Sequence, residues 1–260
     1  SSNELVRLGQ IQLYPQEIHF ENYVQVFKLN GIADALLTSI ARTVLGTVWT
    51  VGGCAFLGYL VTKREMWLRT LWYRLIIITM YFSAGLIPWY MNLRMLGFLD
   101  NFWVYVIPGL VSPYNVILVK TFIESLPTSL EESAMLDGSG YIRLFVSVIA
   151  PLIMPILATL CIFSAVGQWN SFTDTMMLMP GGKYNTLQYL LYKYQHEAQS
   201  LAALVRSTQN TGAIANLAIK QTALSVQMTV AMVVVFPILL VYPFFQRYFG
   251  KGIMIGAVKG

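Results

Sequence analysis

The protein has 260 residues, of which 56% are hydrophobic and only 11% are charged. A soluble domain carries about 25% charged residues, so the composition excludes an ordinary soluble protein and indicates a membrane environment. The formal net charge of +5 is modest. In a membrane protein such an excess of lysine and arginine usually reflects their enrichment on the cytoplasmic side, so no nucleic-acid partner is expected. Cys54 and Cys161 lie far apart inside apolar runs, where we expect them to pack as small apolar residues without a disulfide or a metal site.

The chain opens with a polar segment, 1–34, which contains Pro15 and has no signal-peptide pattern. We predict that this segment is extracytoplasmic and that a further span, the sixth, lies upstream of residue 1. Five uncharged runs of 18 to 30 residues follow, and a helix crosses the bilayer core with about 20 apolar residues. The runs lack the alternation of β-barrel strands. We therefore predict an all-α integral membrane protein with five visible transmembrane helices, near 36–61, 72–93, 102–122, 144–169 and 222–245.

Lysine and arginine residues indicate which segments face the cytoplasm, because they are enriched near spans on that side. Several such residues lie between the first two predicted spans, and more lie around the tail, 251–260. We predict that both segments are cytoplasmic. This arrangement places the segment 124–143 on the cytoplasmic side of the membrane and the segment 174–220 on the outer side.

Arg42 is a charged residue inside the first predicted span, which makes it a candidate for a functional site. Because it lies near the outer end of that span, its long side chain can also extend to the membrane interface. We expect Arg42 either to reach the interface in this way or to form an ion pair with Asp34.

Aromatic and amide side chains near the outer ends of the spans are candidates for a substrate path. Flat aromatic faces can pack on sugar rings, and amides can bond to hydroxyl groups, but tryptophan and tyrosine also anchor spans at the interface. Proline at 113, inside the third predicted span, would bend that helix, so the residues after it could line a pore or hold neighbouring helices together. The candidates are Trp89, Tyr90, Asn92, Tyr114, Asn115, Trp169 and Asn170.

The stretch EESAMLDGSG places several acidic residues between two apolar runs. Ser129 and Glu132 have the spacing of a capping box. Thr128 and Glu131 repeat that spacing one residue earlier, so we predict a short helix here. The helix would end before Gly138, which suits a left-handed helix terminus. Two interpretations of this helix are open. Its acidic residues could bind a basic surface of a partner, or the helix could be an ordinary solvated connection between two spans.

The same stretch resembles the signature loop of the inner-membrane subunits of ABC importers. That loop has the pattern E-A-A, three residues, G, nine residues and I-x-L-P. The glutamate, second alanine, glycine and proline stand at matching spacing, as Glu132, Ala134, Gly138 and Pro151. Mild departures occur at Ser133, Val148 and Ala150. Three further segments resemble landmarks of the maltose-type carbohydrate permeases that import complex oligosaccharides: 13–27, 170–178 and 246–260.

The resemblance implies a transmembrane permease domain at 35–250, with a cytoplasmic coupling loop at 124–143 that docks an ATPase. It implies a permease subunit for oligosaccharides that forms half of a pore and has no ATPase site of its own. The sequence contains no P-loop motif. The coupling residues that the resemblance implies are Glu131, Glu132, Ser133, Ala134, Asp137 and Gly138.

The resemblance also implies partners in the bacterial cytoplasmic membrane, which the chain would cross several times. These partners are a second, homologous permease subunit, two copies of an ATPase subunit, an extracytoplasmic sugar-binding protein and membrane lipid. No cofactor is expected in this chain, because ATP and Mg would bind to the ATPase subunits. Two alternatives are a permease for a non-sugar solute and a membrane-embedded enzyme, although no H-E-x-x-H or G-x-S-x-G motif occurs.

The outer segment 174–220 is too long for a plain connection, because loops beyond about 12–15 residues are usually functional or structured. It begins with a turn signal and continues with apolar residues at helical spacing: Leu187, Leu190, Leu191 and Tyr194. This segment could simply cap the ends of the spans. The resemblance implies instead a contact with the binding protein, and the residues predicted there are Gly181, Gly182, Lys183 and Tyr184.

Overall fold

The computed structural model describes residues 31–207 and the helical residues 228, 231–232, 234–237 and 239. Most of the predicted first segment, most of the last predicted span and the tail at 251–260 lie outside the described residues. Within the described part of the chain the structure consists of helices and connecting turns, with no strand. The prediction of an all-α fold is therefore confirmed for these residues.

Among the described residues the longest element is α1, Ile32–Thr62, and several of the other helices pack against it. Three glycines on α1 allow close approach of neighbouring elements, because a Cβ atom at each would collide with them. A Cβ at Gly58 would lie 2.8 Å from a Val119 methyl group, and one at Gly53 would lie 2.9 Å from the carbonyl oxygen of Leu110. Small residues at helix contacts are a common means of packing in membranes.

The second and third predicted spans are interrupted in the structure. The second consists of α2, Arg69–Tyr81, and α3, Leu86–Met95, with residues 82–85 between them. The third begins with a short 3-10 helix, Phe102–Tyr105, and resumes as α4, Pro113–Glu124. The prediction that Pro113 bends the interior of a helix is wrong. Pro113 is the first residue of α4, where its missing N–H costs no helical hydrogen bond.

The chain then forms α5, Thr128–Leu136, and α6, Tyr141–Leu152. Helix α6 contains a π-helical turn, Phe145–Ile149. It meets α7, Met154–Asn170, at an angle of 81°. Prolines at 151 and 155 flank the bend, and each removes a backbone N–H that a continuous helix would need. Two further helices follow within residues 31–207: α8, Thr173–Leu178, and α9, Leu187–Ser207.

Helix α1 is the one described helix that is by itself long and apolar enough to cross a membrane. The bent pair α6 and α7 would add a second crossing if the two helices formed one span.

Within the part of the chain that the structure describes, buried apolar side chains form three clusters. The first lies where α1, α4, α6 and α7 meet and includes Tyr59, Val119, Leu144, Ile153 and Leu160. The second joins α3, the 3-10 helix and α8, and the third joins α9 to the N-terminal end of α1 and to Trp169. The clusters therefore fix α1 at both ends.

Candidate coupling and translocation sites

Helix α5 contains four of the residues that the sequence predicts for coupling, and Asp137 and Gly138 follow it directly. Pro127 is its N-cap residue, and no side chain caps the first turn. The predicted capping box is wrong, because Thr128 and Ser129 already lie inside the helix, where their hydroxyl groups cannot reach the free amides of the first turn. Ser133 instead donates a hydrogen bond from its hydroxyl to the carbonyl oxygen of Ser129, at 2.8 Å.

The C-terminal end of α5 has the predicted left-handed glycine. Gly138 has a φ of +80°. Its N–H donates to the carbonyl oxygen of Met135 at 3.0 Å, and the N–H of Ser139 donates to that of Ala134 at 3.1 Å. This pair of bonds defines a Schellman motif. A Cβ atom at this position would meet nothing within 4 Å, so the backbone angle alone requires glycine.

The acidic residues of this segment have different surroundings. Glu131 forms an ion pair with Lys63, the residue that follows α1. Glu132 and Asp137 are exposed. Leu136 lies next to Asp137 and is 89% exposed, so this end of α5 presents a mixed acidic and apolar surface. Ala134 packs against the buried cluster between α1, α4, α6 and α7.

Arg42 lies in a polar network that the sequence did not predict. Its side chain is only 2% exposed and donates to both carboxylate oxygens of Asp174, at 3.1 and 2.6 Å. It also donates to the amide oxygen of Gln168, at 3.0 and 3.2 Å. Both predictions for Arg42 are wrong, because its side chain is buried and its ionic partner is Asp174, while Asp34 is exposed. The missed signal was that Asp174 is the first charged residue after a run of 30 uncharged residues.

Tyr105 completes this network from the 3-10 helix. The Cζ atom of Arg42 lies 4.3 Å from the centre of its ring, in a cation–π arrangement. The Tyr105 hydroxyl donates to the carbonyl oxygen of Tyr184 at 2.7 Å, and it lies 3.0 Å from the Thr175 hydroxyl. The Gln168 amide donates to the Tyr105 carbonyl oxygen at 3.2 Å. One buried arginine thus joins α1, α7, α8 and the 3-10 helix.

A cavity of about 510 Å³ opens beside this network. Of the predicted path residues, Trp89 and Asn115 line it. Most of the polar residues that line the cavity are not predicted from the sequence, because helical periodicity does not show which face of a bent helix is turned inward. The missed polar residues include Thr50, Tyr105, Ser112, Ser164, Gln168 and Ser171.

The other predicted path residues do not line this cavity. Trp169 is buried beneath α9, and its indole N–H donates to the carbonyl oxygen of Val234 at 2.9 Å. Asn170 is exposed and donates to the carbonyl oxygen of Val166 in its own helix, at 2.9 Å. Tyr90 packs against the cluster at α3 and the 3-10 helix. Asn92 and Tyr114 are exposed.

The turn predicted to contact a binding protein is attached to the segment before the 3-10 helix. The N–H of Gly181 donates to a carboxylate oxygen of Asp100 at 2.8 Å, and Gly182 has a φ of +70°. Tyr184 accepts the bond from Tyr105. Lys183 is exposed, with its Nζ atom 5.2 Å from the Tyr184 ring. These hydrogen bonds hold the turn in place, and the Lys183 side chain is exposed on it.

Helix α9, which follows this turn, agrees with its predicted apolar spacing. Leu187, Leu190 and Leu191 are buried, and Tyr194 packs against the same cluster. Burial raises the pKa of the Tyr194 hydroxyl, and the nearby Glu197 carboxylate raises it further. The hydroxyl is therefore uncharged at neutral pH.

Residues 54–255 match the family model described as "Binding-protein-dependent transport system inner membrane component". The chain therefore belongs to this family, and the resemblance seen at the signature loop is confirmed. It is a permease subunit of an ABC importer and carries no ATPase site of its own.

The proteins to which this chain is similar include two from Bacillus subtilis (strain 168). Protein LplC is 33% identical, over 95% of this chain and 81% of that protein. The polygalacturonan/rhamnogalacturonan transport system permease protein YtcP is 31% identical, over 95% of this chain and 84% of that protein. A solved structure of a bacterial ABC transporter involved in the import of the acidic polysaccharide alginate is also similar. The matched chain of that transporter is 28% identical to this chain, and the two superpose with a TM-score of 0.82. The match covers 96% of this chain and 86% of the matched chain.

Proposed function

We propose that this chain is a multi-pass permease subunit that imports oligosaccharides across the bacterial cytoplasmic membrane. It forms half of the translocation pore and pairs with a second, homologous permease subunit. The observation that carries the sugar assignment is the cavity beside Arg42, which combines an aromatic ring with hydroxyl and amide groups. YtcP is a permease for polygalacturonan and rhamnogalacturonan, and the similar solved structure is of an alginate importer, so both relatives support a carbohydrate substrate.

The cavity offers the chemistry that a sugar needs. Asn115, Gln168 and several serine and threonine hydroxyl groups can exchange hydrogen bonds with sugar hydroxyls, and Trp89 offers an apolar face. Arg42 and Asp174 neutralise each other through their bidentate ion pair. The lining therefore favours hydroxyl-rich groups over a concentrated net charge.

The same proposal assigns partners to the two ends of the molecule. The complex contains two ATPase subunits, which bind ATP and Mg, and one of them docks on the coupling loop around α5. An extracytoplasmic sugar-binding protein approaches the turn at Gly181, Gly182, Lys183 and Tyr184, where Lys183 is exposed. The fixed position of this turn suits a docking contact, because little conformational entropy is lost on binding.

Reconstitution of the complete importer in liposomes tests the sugar assignment. The complex would be supplied with its binding protein and with a panel of neutral oligosaccharides, uronate oligosaccharides, amino acids and peptides. We expect an oligosaccharide to stimulate ATP hydrolysis and to be taken up. Stimulation and uptake with an amino acid or peptide alone would overturn the assignment in favour of a non-sugar solute.

Replacing Asn115 by leucine is expected to weaken uptake without impairing assembly. The change keeps the approximate volume and removes the hydrogen-bonding amide from the cavity. A lost neutral hydrogen bond is worth about 1 kcal/mol, or about a fivefold rise in the sugar concentration that gives half-maximal uptake. Asn170→Leu is the matched control, because Asn170 is an exposed amide outside the cavity. Equal effects of the two changes would contradict a role of the cavity in the substrate path.

Replacing Glu132 by lysine is expected to reduce co-purification of the ATPase more strongly than replacing it by glutamine. Glu132 is exposed on α5 and faces a partner surface in this proposal, so a reversed charge adds repulsion to the loss of attraction. The amount of ATPase that co-purifies with each variant provides the measurement. If both variants retain equal amounts, the shape of α5 and not its charge determines docking.

A further inference from the structure

The end of α1 holds the coupling loop at two points. We propose that Lys63 and Tyr59 form a clamp that receives the movement of the coupling loop and passes it to α1. The two residues are thus positioning residues for transport. This inference rests on the proposed docking of an ATPase at α5, and it assigns the element to which that movement is transferred.

The first point of the clamp is Lys63. This lysine is only 7% exposed, and a buried ammonium group is costly unless it is paired. It is ion-paired with Glu131 of α5, and its Nζ atom lies 4.5 Å from the centre of the Tyr59 ring. The charge of Lys63 is therefore satisfied through its contact with α5 and the end of α1.

The second point of the clamp is Tyr59. Its side chain is fully buried, and its hydroxyl donates to the carbonyl oxygen of Tyr141 at 3.1 Å. Its ring also packs against Phe145, with 5.0 Å between the ring centres. Tyr141 is the first residue of α6. Gly138 and Gly140 lie between it and the helix that contains Glu131. One turn of α1 therefore holds both arms of the coupling loop, so α5 cannot move far without breaking a contact or moving α1.

Helix α1 connects this clamp to the cavity. It runs without a break or a proline from Ile32 to Thr62. Arg42 and Thr50, which line the cavity, belong to the same helix. At a rise of about 1.5 Å per residue, Arg42 lies about 26 Å from Tyr59 along the helix axis. A stiff helix fixed at both ends provides a physical connection between the docking surface and the substrate path.

The clamp can be tested with variants that remove its charges and keep its shape. We expect Lys63→Met to lower the amount of sugar transported per ATP hydrolysed about tenfold, with ATPase co-purification and basal ATP hydrolysis retained. Glu131→Gln should lower the same ratio to a similar extent. The double variant should be no worse than either single variant, because the two residues act through one contact. Lys120→Met is the control. It breaks the Lys120–Glu124 ion pair on the neighbouring helix α4, and it should leave the ratio unchanged.

The ratio of transport to hydrolysis distinguishes the clamp from a purely structural role, because loss of folded protein lowers both rates together. If Lys63→Met fails to assemble, Glu131→Gln and Tyr59→Phe decide the question, since they remove one charge or one hydroxyl group. A wild-type ratio in both would overturn the clamp. Failure of the wild-type complex to transport any oligosaccharide would overturn the proposed function instead, so the two failures can be distinguished.

Discussion

Replacing Arg42 by methionine is expected to be the most destabilising change in the described part of the chain. The side chain of Asp174 is 15% exposed and would lose both of its ionic bonds. Leaving one member of a buried ion pair without its partner costs about 3–5 kcal/mol. We expect little folded protein after extraction, and a lower melting temperature for what remains. Size-exclusion chromatography of a fluorescent fusion, with heating, measures both.

Two companion variants test the cause of this loss. The double variant Arg42→Met with Asp174→Asn should recover part of the stability, because no buried charge is then left unpaired. Asp34→Asn should have no effect, because Asp34 is exposed. Wild-type stability of Arg42→Met would show that the ion pair with Asp174 contributes nothing to folding.

Replacing Gly138 by valine is expected to abolish productive docking of the ATPase while the chain still folds. At a φ of +80° a residue with a Cβ atom is strained by about 1–2 kcal/mol, and a β-branched residue suffers more. The chain can relieve this strain by unwinding the last turn of α5, which would displace Asp137 and Leu136. Co-purification of the ATPase and sugar uptake should both decrease.

Gly140 provides a matched control two residues away. It also has nothing within 4 Å of a built Cβ atom, but its φ of −71° and ψ of 163° are suitable for valine. Gly140→Val should therefore dock the ATPase normally, and Gly138→Asn should be milder than Gly138→Val because asparagine tolerates the left-handed region. Equal loss in both valine variants would mean that the added side chain, and not the backbone angle, causes the effect.

The sequence predicts those features of the coupling loop that depend on neighbouring residues. Gly138 was predicted correctly because a left-handed terminus is a local property of the chain. The capping box failed because Pro127 starts the helix earlier, which moves the two hydroxyl residues inside it. The bend near Ile153 was also predictable, since two prolines flank it.

Contacts between distant segments were not predictable in this way. Arg42 and Asp174 are separated by 132 residues, and only the packing of α7 and α8 against α1 brings them together. The substrate-path residues were chosen by chemical type, so Trp89 and Asn115 line the cavity while Trp169 is buried elsewhere. Residue type does not show which way a side chain points when helices are broken or bent.

The position of Asp137 has a consequence for the stability of α5. Asp137 is the C-cap residue of this helix, and the last turn contains no basic residue. The C-terminal end of a helix carries a partial negative charge, so a carboxylate at this point is electrostatically unfavourable. A cation supplied by a docked subunit would be attracted by the carboxylate and by the helix dipole at once. Where a partner supplies such a cation, the helix is more stable in the complex than alone, and its folding equilibrium is thermodynamically linked to occupancy of the docking surface.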